Sequence, residues 1–191
     1  TYKRAEDSMT FFEIDPMVDR LSRDPRWFSY INGCAQGPVR TVLGDARLTM
    51  AREPAGTYDL LVIDAFSSDA VPMHLLTKQA FDIYARRLAP GGVLVVHISN
   101  RFLDLEPVVA AASNWGWQVA VRGYQAKPAD IAKSYSSSLW VALARDPVTL
   151  ARLQDATGRA KWRLARVRPG FAGWTDDHAS ILPLIKWSQT E

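Results

Sequence analysis

Tyr58-Asp59-Leu60-Leu61-Val62-Ile63-Asp64-Ala65-Phe66-Ser67-Ser68-Asp69 is the stretch on which the fold turns. Leu60 to Ile63 are continuously apolar, so neither side of this segment is written for water. A short run of that kind marks a strand covered on both faces, as in a parallel sheet. It stops at Asp64, where a loop places two carboxylates, two hydroxyls and an aromatic ring close together. Upstream, Thr10 to Ile14 and Val39 to Leu43 read as two more strands, the first closed by Asp15-Pro16 and the second by Gly44-Asp45. Pro16 suits a first helical turn, and Met17, Val18 and Leu21 recur at helical spacing. Ala46 to Arg52 reads as a short helix. Downstream come a helix from Thr77 to Leu88, a turn at Pro90-Gly91-Gly92 and a strand from Val93 to Ile98. A helix from Leu105 to Trp115 follows, then strands at Trp117 to Arg122 and Ser137 to Ala144. The last region predicts a helix at Pro147 to Gln154, a strand at Trp162 to Val167 and a final helix after Asp177. Strands and helices alternating in this way require crossover connections, so the expected class is α/β: a doubly wound, mostly parallel sheet with an antiparallel edge.

The composition agrees. The 191 residues, 48% hydrophobic and 23% charged, suit one globular domain over residues 1–191. The longest apolar runs, such as Gly92 to Ile98, are too short to cross a bilayer, and the first residues lack the apolar core of a signal peptide. A single cysteine, Cys34, excludes an internal disulfide and fits the reducing cytoplasm. The net charge of +3 is small. Its excess sits late, at Arg145, Arg152, Arg159, Lys161, Arg163, Arg166 and Arg168, where a solvated face is the expected reading and no nucleic-acid motif accompanies it.

Three strands end in acids: Glu13, Asp45 and Asp64. Ligands of open parallel sheets sit beyond the carboxyl ends of the strands, so the three are expected at one crevice. A carboxylate at the end of an early strand can take both hydroxyls of a ribose. The Gly44-Asp45-Ala46 turn can offer a carboxylate to an adenine amino group and a backbone N–H to a ring nitrogen. The loop after Asp64 suits an ammonium group, which carboxylates attract and an aromatic face attracts further. The plainer reading of a strand-end aspartate is a helix cap or turn residue. His74, His97 and His178 are scattered, with no ligand cluster at metal spacing; His97 reads as a structural residue within a strand.

Several of these segments together resemble the spermidine synthase family of polyamine aminopropyltransferases. They are Phe12-Glu13-Ile14-Asp15-Pro16, Leu43-Gly44-Asp45-Ala46-Arg47, the Tyr58 to Asp69 stretch and Leu88-Ala89-Pro90-Gly91-Gly92-Val93-Leu94. The nearest likeness is to the bacterial spermidine synthase-like domain often fused to a membrane segment, and Trp174-Thr175-Asp176-Asp177-His178 looks like a further signature of that subgroup. The resemblance implies a Rossmann-like fold of the S-adenosylmethionine-methyltransferase type. It implies that Glu13 binds the ribose of decarboxylated S-adenosylmethionine, that Asp45 with the Ala46 backbone reads the adenine, and that Asp64 is the catalytic acid-base residue. Asp69 would bind the polyamine, with Ser67, Ser68, Asp176 and Asp177 lining the same substrate site and His178 a candidate beside them. Asp176 and Asp177 read equally as the cap and first turn of the last helix. No metal is implied, a homodimer is the assembly common in the family, and a membrane segment would lie in a longer parent protein.

The chain departs from the family in two places. The family's first strand and its glycine-rich turn are expected ahead of residue 1, and no Gly-x-Gly occurs in the sequence. The amino-terminal β-domain of the usual enzymes is likewise not among residues 1–191, and the loop after Asp64 is longer than their Asp-Ser-Ser-Asp form. The leading expectation is therefore aminopropyl transfer to putrescine or a related amine. The alternatives are an S-adenosylmethionine-dependent methyltransferase and a non-catalytic nucleoside- or polyamine-binding domain of a larger protein.

Overall fold

The computed structural model describes residues 3–65 and 71–187. Two compact units divide it, Thr1–Glu53 and Pro54–Glu191.

In the first unit β1 (Met9–Glu13) pairs in parallel with β2 (Val39–Leu43), in register from Met9↔Val39 to Glu13↔Leu43. A parallel pair needs a crossover, and α1 (Pro16–Arg23) followed by a π-helical turn at Tyr30–Cys34 supplies it. Asp15 caps α1, its side chain accepting from the Met17 N–H, and Pro16 takes the first helical position. The helix is tied to β2 through Asp19, whose Oδ1 accepts from Arg23 at 2.9 Å and from the Thr41 hydroxyl at 2.6 Å. The short α2 (Ala46–Met50) follows β2.

The second unit carries a five-stranded sheet. Its strands are β3 (Tyr58–Ile63), β4 (Leu88–His97), β5 (Gln118–Tyr124), β6 (Ser138–Ala144) and β7 (Arg163–Leu164), in spatial order β3-β4-β6-β5-β7. α3 (Lys78–Arg87) is the crossover that makes β3 and β4 parallel. β6 runs antiparallel to both β4 and β5, so β3, β4 and β5 point the same way with β6 inserted against them. α4 (Glu106–Ala110) leads into a 3-10 turn at Ala111–Trp115, α5 (Pro128–Ile131) is a single turn, and α6 (Pro147–Thr157) follows β6.

The two-residue alternation of the strands divides the core. On one face Ala120, Ala142 and Ala144 are buried with Leu150 of α6, and Val93, Leu153 and Trp162 pack around them. Alanines at these positions let the helix approach the sheet closely. On the other face Leu94, Val96, Val121, Val141 and Leu143 are fully buried. Phe81 and Tyr84 of α3 and Val108 and Val109 of α4 are fully buried too, and Phe81 packs against the rings of Trp115 and Trp117. Burying each such side chain contributes about 1.5–3 kcal/mol.

Three late expectations are corrected. The turn at Pro90-Gly91-Gly92 lies inside β4, because the strand already pairs at Leu88↔Tyr58 and bulges before Leu60↔Val93. Gly91 takes φ +77°, and a Cβ at Gly92 would stand 3.0 Å from the Tyr58 carbonyl, so the bulge depends on both glycines. The strand expected at Trp162 to Val167 shortens to Arg163–Leu164, since Arg163 and Arg166 turn inward to a buried carboxylate, Glu106. The helix expected after Asp177 is a 3-10 turn at Leu182–Leu184, after which Ile185 bridges to Leu103 in extended form.

Candidate active site

In the first unit the parallel register brings the ends of β1 and β2 level, and the Gly44 N–H donates to the Glu13 carbonyl at 2.9 Å. Glu13 and Asp45 therefore stand at the same end of that strand pair. Glu13 is half-buried, and its Oε1 accepts from the Asp15 N–H at 2.9 Å, which aligns the carboxylate with the turn into α1. Asp45 caps α2, its Oδ1 accepting from the Leu48 N–H at 2.9 Å. Ala46 is the first residue of that helix. The plain reading of Asp45 as a cap thus describes one of its oxygens. A carboxylate offers several acceptor positions, so capping a helix does not by itself exclude a ligand contact.

In the second unit Asp64 stands one residue past β3, with its side chain about half exposed. Because Ile63 is level with Val96, the next residues on the two strands, Asp64 and His97, come side by side. The His97 Nδ1 lies 2.8 Å from Asp64 Oδ1. Its Nε2 lies 2.6 Å from the Ser99 hydroxyl, which in turn accepts from the Leu139 N–H at 2.8 Å. The ring stacks on Trp140, its register partner on β6, with centroids 4.5 Å apart. Among the described residues Oδ2 of Asp64 receives no hydrogen bond, so a carboxylate faces outward with one oxygen fixed and one free. Such a group can bind an ammonium, take its proton and orient its nitrogen.

Ser67, Ser68 and Asp69 lie outside the described residues. Asp176 is drawn to the start of α3, where the Thr77 hydroxyl donates to its Oδ1 at 2.8 Å and its own N–H donates to Gln79 Oε1 at 3.1 Å. Negative charge is favourable at a helix N-terminus, so the helix Asp176 complements is α3 and not one that follows it. The segment is staked there by Trp174, which is fully buried, bridges to Thr77 and donates from its indole to the Ser180 carbonyl at 3.0 Å. Thr175 and His178 close the turn with reciprocal backbone hydrogen bonds, leaving Asp177 and His178 exposed. α3 begins where the chain returns from the carboxyl end of β3, so Asp64, His97 and Asp176 belong to the same end of the sheet. Among the described residues no group of three His, Cys, Asp or Glu side chains could hold a metal ion.

His97, Ser99 and Trp140 are the partners that sequence reasoning missed. The signal was present: Val93, Val95 and His97 share one face by alternation, as do Leu60, Val62 and Asp64, and two parallel strands ending together put the polar members of the two series in contact.

Known proteins are similar to about half of this chain. The chain is 33% identical over 94 residues to a polyamine aminopropyltransferase of Vibrio vulnificus, covering 48% of this chain and 30% of that protein. It is 29% identical over 103 residues to spermidine synthase 2 of Hyoscyamus niger, covering 53% and 33%. This chain is similar to members of the spermidine synthase family over about half its length. A probable spermidine synthase from Corynebacterium glutamicum shares the fold, with a TM-score of 0.56 and 22% identity, over 91% of this chain and 64% of that one. Putrescine N-methyltransferase 1 of Nicotiana tabacum is also similar, 27% identical over 109 residues and covering 56% of this chain and 28% of that protein. The matches span about a third of each of these curated relatives. No family model matches the chain.

Proposed function

We propose that this spermidine synthase relative transfers an aminopropyl group from decarboxylated S-adenosylmethionine to putrescine or a related amine, releasing methylthioadenosine. The observation that carries the reading is Asp64, a half-exposed carboxylate at a strand end with Oδ1 held by His97 and Oδ2 open. The donor carbon is attached to a sulfonium, so it is already electrophilic and the thioether leaves without protonation. What the protein must supply is an amine with a free lone pair, held in line. Oδ2 of Asp64 binds the acceptor ammonium and takes one proton; the nitrogen then attacks the propyl carbon, the N–C bond forms and the C–S bond breaks with its electron pair going to sulfur. Glu13 holds the ribose hydroxyls, and Asp45 with the Ala46 N–H reads the adenine. Ser67, Ser68, Asp69, Asp176 and Asp177 bind the acceptor, Asp176 from its place at the start of α3. No metal enters the chemistry.

A second reading has its own support, because the putrescine N-methyltransferases match over as long a stretch as the synthases. Intact S-adenosylmethionine would then be the donor, and the same carboxylate would deprotonate the same class of amine. The test is turnover with each donor in the presence of putrescine, followed by mass spectrometry of the product, for the wild type and Asp64→Asn. Aminopropylated product, with turnover lowered about 10²–10⁴-fold by the substitution, supports the first reading. Methylated product moves the assignment to the second. Calorimetry with methylthioadenosine that shows no binding, together with no product from either donor, would leave a non-catalytic domain.

A further inference from the structure

The imidazole beside Asp64 is constrained on every side that matters. An ionised carboxylate only accepts, so the 2.8 Å contact with Asp64 Oδ1 requires the hydrogen on Nδ1. In the neutral ring Nε2 is then an acceptor, and its 2.6 Å neighbour, the Ser99 hydroxyl, must donate to it. Ser99 keeps a lone pair for the Leu139 N–H at 2.8 Å, so all three hydrogen bonds point in one direction, from the β6 backbone to the carboxylate. Stacking on Trp140, with the planes 25° apart, fixes the ring's tilt.

We propose that His97 is a positioning residue of the transfer: held as the Nδ1–H tautomer by Ser99 and Leu139 and kept flat by Trp140, it fixes Oδ1 of Asp64 and so presents Oδ2 to the attacking amine. The inference rests on the reading of Asp64 as the amine's base. It assigns the precision of that base to β4 and β6.

Two measurements test it in the full chain. Long-range proton–nitrogen NMR of the His97 ring at neutral pH reads the tautomer without any need for turnover. The Nδ1–H form, lost in Asp64→Ala, is expected; the Nε2–H form or a persistent imidazolium would overturn the proposal. The second is kinetic. Asparagine places a donor near the position of Nδ1, and glutamine places its polar end near Nε2. Turnover of His97→Gln should fall about 10–100-fold with the KM for putrescine within about twofold, while His97→Asn should stay within about threefold of wild type. Equal turnover in both variants, or losses that simply track a lowered melting temperature, would refute a positioning role. Asp64→Asn with undiminished turnover would sink the base reading; Asp64→Asn inactive with His97→Gln at wild-type turnover would sink only this inference.

Discussion

Replacing Glu106 by glutamine should cost this protein about 3 kcal/mol at neutral pH, and acid should erase the difference. Glu106 is fully buried, yet its carboxylate accepts from Arg163 Nη1 and Nη2, the Arg166 backbone N–H at 2.7 Å, and Arg166 Nε and Nη2 at 3.0 and 2.9 Å. Burial alone would raise its pKa, but the hydrogen bonds from Arg163 and Arg166 prevail and hold it at about 2, against an ordinary 4.5. Converted at the usual rate, that lowering is worth about 3 kcal/mol of folding stability. Breaking a buried pair from one side costs about 3–5 kcal/mol in other proteins, a consistent scale. At about 2–4 °C per kcal/mol for a chain of this size, Glu106→Gln should melt about 6–12 °C below wild type. The sign with pH follows from the depressed value: the contribution is complete above the unfolded carboxyl's 4.5 and disappears as pH falls toward 2. Thermal unfolding followed by tryptophan fluorescence at pH 7, 5, 4, 3 and 2 measures both effects. A loss under 2 °C at pH 7, or a gap that stays constant down to pH 2, would refute the reasoning.

Gly173 sits at φ +88°, and a Cβ there would come 2.7 Å from the Trp115 ring and 2.8 Å from Ala111. Gly173→Ala should therefore destabilise by about 2–4 kcal/mol, overpacking and backbone strain together, in urea unfolding; an unchanged midpoint would contradict the contact. Asp45→Ser should separate that residue's cap from its proposed contact with the adenine. Serine caps a helix about as well, so stability should change by less than about 0.5 kcal/mol, while calorimetric affinity for methylthioadenosine should fall at least about tenfold; full affinity would leave Asp45 as a cap alone.

Much of the fold was legible in the sequence where local chemistry and tertiary packing agree. β2 and β3 occupy the expected residues, because Val39 to Leu43 and Tyr58 to Ile63 are bounded by Gly44-Asp45 and Asp64, and helix α6 starts where Asp146-Pro147 predicts. What was not legible depends on partners far away in the chain. The late basic run read as a solvated face, but Arg163 and Arg166 serve a carboxylate 57 and 60 residues earlier, and no local pattern announces such a bond. The extra turn of α6, to Thr157, follows from Leu153 and Trp162 packing on the sheet. At the site, strand-end acids were visible as a class. His97 read as structural because a histidine within a strand carries no mark of what stands beside it, and its contact with Asp64 emerges only from the register of β3 against β4.

The position of β6 has a consequence for the making of the protein. It lies between β4 and β5, yet follows both in the chain. While the chain is leaving the ribosome, the edge of β4 from Val93 to His97 has been made about forty residues before the strand that will satisfy it, and β5 cannot take its place without excluding the true partner. The sheet closes only when residues 138–144 emerge. Until then the nascent chain displays an apolar strand edge to everything else in the cell, and a premature stop before Ser138 should yield a product destined for chaperones or aggregates rather than a smaller folded protein.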